Sequence, residues 1–93
     1  MSEEATPLQV DDVIAMSLDQ FAGLAWQKLG LQPDPITNKL ELDLGQAKKA
    51  IDIASALADQ LEGSLDEDDR RELHNLVRNL RLNYVQKTKE GQL

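Results

Sequence analysis

Residues 29–52 read LGLQPDPITNKLELDLGQAKKAID, two prolines in three residues followed by an alanine-rich amphipathic pattern. Proline fixes its own φ and pushes the residue before it toward extended conformations, so Pro33 and Pro35, acting with Gln32 and Asp34, stop a helix from running through this stretch. On the upstream edge Gly30 supplies a helix stop, because glycine enters the left-handed conformation without a steric penalty. On the downstream edge Asp43 supplies a start: its carboxylate is placed to accept from the amide of Gln46, with the Gln46 side chain reaching back. Between them Thr37-Asn38-Lys39 reads as a turn with Asn38 at positive φ, and Ile36, Leu40, Leu42 and Leu44 alternate as in a short extended piece. Loops of this length usually pack or function, so Ile36, Leu40 and Leu42 are expected to lie over the open end of a bundle as a lid.

Working outward, helical periodicity appears on both sides. Upstream, Ile14, Leu18, Phe21, Ala22, Ala25 and Leu29 recur at three- and four-residue steps and predict a helix from about Asp11 to Leu29. Two start signals compete there: Asp11 as N-cap, and Thr6-Pro7 with Gln9 three residues after the threonine. Downstream, a second helix runs from Asp43 to Gly63, with Ala47, Ala50, Ile51, Ala54, Leu57, Ala58 and Leu61 on one broad face. Four of those seven are alanine, so a neighbouring helix can approach its backbone closely. A third helix begins at Ser64 or Asp66, each followed three residues on by an acid, buries Leu73, Leu76, Val77, Leu80 and Tyr84, and is expected to fray near Thr88.

Composition agrees with one small helical domain. The chain has 93 residues, 41% hydrophobic, with one Trp, one Tyr and one Phe, so its core must be aliphatic and alanine-rich. The expected class is all-α: a three-helix bundle-like unit with a Pro-containing extended linker between helices 1 and 2. Residues 1–10 read as a flexible acidic N-terminus, 11–87 as a single helical domain and 88–93 as a flexible C-terminus. With no cysteine, disulfides, thiolate metal ligands and thiol nucleophiles are excluded together. No apolar run is long enough for a membrane span and the N-terminus lacks the features of a signal peptide, so a cytoplasmic protein with no membrane partner is expected.

At this level of detail the residues resemble a family. Leu29-Gly30, Pro33-Asp34-Pro35, the step from Thr37 through a turn to Lys39, Leu44, Ala47-Lys48, Ile51-Asp52, Leu65 before an acidic helix start, Leu80-Arg81 and Tyr84-Val85 are similar, in order and spacing, to the bacterial DUF1844 family. The resemblance covers residues 12–86. Asn38 stands where the family is expected to carry a turn glycine, a substitution the backbone tolerates. The resemblance implies a short bacterial cytoplasmic protein without assigned activity, with genes in some lineages near translation genes, and brings no catalytic residues with it.

The constellations that carry chemistry are weak. His74 is the single histidine, and its helical-spacing neighbours Arg70, Arg71, Val77 and Arg78 repel a metal rather than complete a site. Asp66-Glu67-Asp68-Asp69 lacks the oxygen ligand and turn glycine of a calcium loop, since Arg70 and Arg71 stand there, and instead suits the positive end of a helix dipole. Ser17, Ser55 and Ser64 sit in no glycine-rich elbow, and phosphate-loop patterns are absent. No catalytic residue, metal or cofactor is expected, and the reading is not an enzyme.

Charge is the more informative property. Residues 1–69 hold 15 Asp/Glu against four Lys/Arg, and residues 70–93 hold six Lys/Arg against two Glu, nets of −11 and +4 within the formal −7. On the third helix Arg71, Arg78, Arg81, Leu82, Val85 and Lys89 form a candidate interface, an apolar strip flanked by guanidinium groups away from the core stripe. The expected function is a non-enzymatic helical protein–protein interaction module, self-associating as a two-fold dimer through this strip and able to present a face to a bacterial cytoplasmic protein. The alternative is an RNA- or ribosome-associated accessory factor using the same basic face. Without aromatic residues to stack bases, and with an acidic body, nucleic acid is the less favoured partner.

Overall fold

The computed structural model describes residues 6–91 and contains three α-helices: α1 (Val10–Lys28), α2 (Leu44–Leu61) and α3 (Glu67–Gly91). A single 3-10 turn, Glu62–Ser64, joins α2 to α3. The class is all-α and bundle-like, as the sequence predicts. Residues 1–5 and 92–93 of the segments expected to be flexible lie outside the described residues. The third helix continues to Gly91, past the expected fraying point at Thr88, whose hydroxyl donates back to the Tyr84 carbonyl at 2.7 Å and so stays within the helical pattern.

Each helix start has a local cause. At α2, Asp43 is the N-cap and its carboxylate accepts from the Gln46 amide at 3.1 Å. The Gln46 side chain does reach back, but to the Asp43 carboxylate at 2.9 Å, because the Asp43 amide already donates to the Lys28 carbonyl at 2.8 Å. At α3, Asp66 rather than Ser64 is the cap, accepting from the Asp69 amide at 2.8 Å. At α1, neither expected signal prevails: Gln9 is the N-cap residue and the Asp12 carboxylate accepts from its amide at 3.1 Å.

Ala25, Leu29, Ala47 and Leu80 are fully buried, and with Ala22, Ala50 and Ile51 they form one core cluster at the linker end of the molecule. Leu18, Ala58, Leu61 and Leu73 form a second cluster at the other end. Residues late in α1 therefore meet residues early in α2, and the two helices run antiparallel with alanines along the seam. Because α3 contributes Leu73 beside Ala58 and Leu80 beside Ile51, it runs antiparallel to α2 and lies mainly against it. The result is thin, 60 × 31 × 18 Å.

The linker is ordered by hydrogen bonds rather than by burial. Gly30 (φ 77°) and Asn38 (φ 59°) hold the two positive-φ positions the sequence reserves for them. A Cβ on Gly30 would come within 3.4 Å of the Glu41 carbonyl oxygen. Leu29 and Leu42 form an isolated antiparallel bridge, and the Asp34 carboxylate accepts from the amides of Ile36 at 2.7 Å and Thr37 at 3.2 Å. The lid expected from Ile36, Leu40 and Leu42 does not form: Ile36 is 92% exposed, and Leu40 and Leu42 are also exposed. Leu40 and Leu42 face an open depression beside Lys87, Glu90 and Gly91 at the end of α3, and the helix covers neither of them.

Candidate functional site

The strip expected on α3 opens onto a groove of about 370 Å³ between α2 and α3. Ser55, Ala58 and Asp59 of α2 form one wall, and Val77, Leu82 and Val85 of α3 form the other, with His74, Arg78 and Arg81 on the rim. Leu82 is 57% and Val85 46% exposed, so the apolar part of the groove meets solvent. The helices that build it are held apart by Ala58 and Ile51 against Leu73, Val77 and Leu80, and the groove is what remains outside that seam.

Four of the six candidate residues, Arg78, Arg81, Leu82 and Val85, come together here. Arg71 lies elsewhere, beside Asp68 at 3.5 Å and in a separate shallow depression with Glu67 and Asn75. Lys89 is exposed in the last turn of α3 and lines neither depression. Charge pairing also takes a form the sequence left open. Arg81 sits 3.6 Å from Asp52 of the same chain, and Lys48 reaches that carboxylate at 2.9 Å, so the basic segment meets the acidic body within one protomer. The Lys48 ammonium, followed by Arg81, holds the Asp52 carboxyl below its ordinary range, and Asp52 in turn raises Lys48.

His74 makes a hydrogen bond to Glu62 at 2.9 Å across the α2–α3 junction, with both side chains about half exposed. The contact ties α3 to the end of α2 at the surface. Among the described residues no group of three or more His, Asp or Glu stands together as a metal site. Arg70, which the sequence reading used only to argue against metal sites, closes the α2–α3 turn: its guanidinium donates to the carbonyls of Glu62 at 3.2 Å and Leu65 at 2.9 Å. Its signal in the sequence was an arginine within one turn of a helix junction rich in free carbonyls.

A second surface feature was missed. Phe21 and Leu24 of α1, with Ala50 and Ile53 of α2, line a smaller depression of about 160 Å³ bordered by Lys28 and Lys49. Val10 and Val13 on α1 are exposed as well. The three- and four-residue steps through Val10, Val13, Ser17, Phe21 and Leu24 were visible, but the serine interrupts them and Phe21 was already counted in the first stripe found on that helix.

No described helix is long and apolar enough to cross a membrane. No curated protein and no solved structure matches the chain. The family model of a domain of unknown function, DUF1844, matches residues 13–86, nearly the span over which the residues resemble it, and the chain belongs to the DUF1844 family.

Proposed function

We propose that this chain is a non-enzymatic helical protein–protein interaction module of the bacterial cytoplasm, self-associating with a dimer as its favoured form, whose α2–α3 groove receives an apolar segment of a second protein. The observation that carries this reading is the groove itself: the exposed Leu82 and Val85 line it together with Arg78 and Arg81, an apolar surface flanked by guanidinium groups. Because Arg81 already has a carboxylate neighbour in its own chain, Asp52 at 3.6 Å, a different protein is favoured over a second copy's carboxylates as the groove's occupant.

Size exclusion coupled to light scattering tests self-association. The expected mass is twice the 10.4 kDa protomer, and a monomer at tens of micromolar overturns that part. For the groove, capture from the native host with wild type and with Leu82→Glu/Val85→Glu should differ by the loss of one specific protein. Equal capture by both overturns the groove as a docking site. The second reading, an RNA- or ribosome-associated factor, draws support from Arg78 and Arg81 standing exposed on α3. It requires RNA retention that falls steeply with salt, as neutralised phosphates do when counterions compete.

A further inference from the structure

A helix on the surface of a small domain ordinarily carries one apolar stripe facing the core. The α1 helix carries two. Its first stripe, Leu18, Ala22, Ala25 and Leu29, is buried against α2 and α3. The second is Val10, Val13, Ser17, Phe21 and Leu24, of which Val10, Val13 and Leu24 are exposed and Ser17 and Phe21 half-buried. This strip borders the α2 side chains Ile53 and Ala50.

Its spacing is symmetric. From Val10 the steps are three, four, four and three residues, so the strip reads the same from either end with Ser17 at the centre. We infer that this strip is the self-association surface: α1 of one protomer lies antiparallel across α1 of a second copy, with the two-fold axis at Ser17. The inference rests on the self-association proposed above and assigns it to a surface other than α3. The pairing sets Val10 against the partner's Leu24 and Val13 against the partner's Phe21, so each large side chain meets another and the small Ser17 lies at the crossing, where the backbones come nearest.

Charge supports a second copy as the occupant. One end of this face is bordered by Lys28 and Lys49, while the first turn of α1, at the other end, holds Asp11 and Asp12. An antiparallel two-fold brings each basic end to the acidic end of its partner, and also opposes the helix dipoles. Four helices, two from each protomer, would then enclose a second apolar layer behind the seam that α3 covers from the front.

The test uses the full chain, which has no native cysteine to interfere. Under mild oxidation Ser17→Cys should convert to a covalent dimer that is twice the protomer mass on a non-reducing gel, and Val85→Cys, in the α2–α3 groove, should remain monomeric. In light scattering, Val13→Glu/Leu24→Glu should fall to half the wild-type mass with its helical circular dichroism retained. Should that double variant unfold, the cysteine pair alone decides. A dimeric wild type cross-linked through Val85→Cys and not through Ser17→Cys overturns this inference while leaving self-association standing through α3. A monomeric wild type overturns both.

Discussion

The α1–α2 seam and the 30–42 linker are neighbours in the chain and both carry large aliphatic residues, yet they are ordered by opposite means. Along the seam, Ala22, Ala25, Ala47, Ala50 and Ala54 are buried, and small side chains let two backbones approach so that the intervening Leu29 and Ile51 fill the space completely. In the linker Ile36, Leu40 and Leu42 are exposed, and order comes from polar groups: the Asp34 carboxylate on two amides, the Asp34 amide on the Lys39 carbonyl at 2.9 Å, and the Asp43 amide on Lys28. Apolar content therefore does not decide whether a segment is buried. What decides is whether the topology places an element against it.

The seam should respond most strongly to loss of volume. Leu80→Ala removes a side chain with no solvent exposure that joins α3 to both other helices, and should cost about 2–5 kcal/mol in chemical denaturation, the range for truncating a buried leucine. A loss under about 1 kcal/mol, the level of an ordinary exposed site, would show α3 to be loosely docked and would erase the contrast. Gain of volume is the next test. Ala54 is 1% exposed, so Ala54→Leu should cost about 1–3 kcal/mol by overpacking, more than the roughly 1 kcal/mol of glycine's poorer helix propensity in Ala54→Gly. The reverse order would mean the seam has room, and close approach would not be its organising principle.

How much of this was legible depended on distance along the chain. The Asp43–Gln46 cap, Gly30 as a stop and Asn38 at positive φ were readable because each involves residues within a few positions and a single physical cause. The alanine face of α2 was readable too, since periodicity alone specifies a face. The start of α1 was not, because Thr6, Asp11 and Asp12 offer competing capping groups within seven residues, and the structure uses Asp12 reaching back to Gln9. Pairing of the basic segment with the acidic body was readable from the charge asymmetry, but the linker's exposure and the placing of Arg81 against Asp52 of the same chain were not, because both depend on how the helices pack, which no local pattern encodes. The candidate site was accordingly half legible. Its apolar centre followed from spacing on one helix, whereas its α2 wall, Ser55, Ala58 and Asp59, appeared only when the helices were packed.

The linker's polar ordering predicts a pH dependence that the seam lacks. The amides of Ile36 and then Thr37 hold the Asp34 carboxyl below its ordinary range, and the amide and side chain of Gln46 do the same for Asp43. A carboxyl depressed in the folded state stabilises it at pH above the unfolded value, and that contribution is lost as pH falls through the folded one. Melting followed downward from neutral pH should thus show a loss beginning in the ordinary aspartate range and continuing below it. Asp34→Ala and Asp43→Ala should each lower the neutral-pH midpoint and flatten part of the acid limb, by less than Leu80→Ala does. If both variants kept the wild-type acid limb, hydrogen bonds to these carboxylates would not be what holds the linker.

The smallest expected effect is the most direct measure of the difference between the two regions. A lid would make Ile36 part of the core, and its replacement by serine would then forfeit about 1.5–3 kcal/mol, the value of burying a large aliphatic side chain. At 92% exposure Ile36 has almost no burial to lose, while its amide, the part that matters, is unaffected by the side chain and continues to donate to Asp34. Ile36→Ser should therefore leave the denaturation midpoint within about 0.5 kcal/mol of wild type, the ordinary range for an exposed site away from special backbone geometry. Pairing it with Ile51→Val in the seam, expected to cost about 0.5–1.5 kcal/mol, compares the removal of nearly a whole side chain in the linker with that of one methyl group in the core. If the serine proved the more costly of the two, the linker would be packed in solution and order there would come from burial after all.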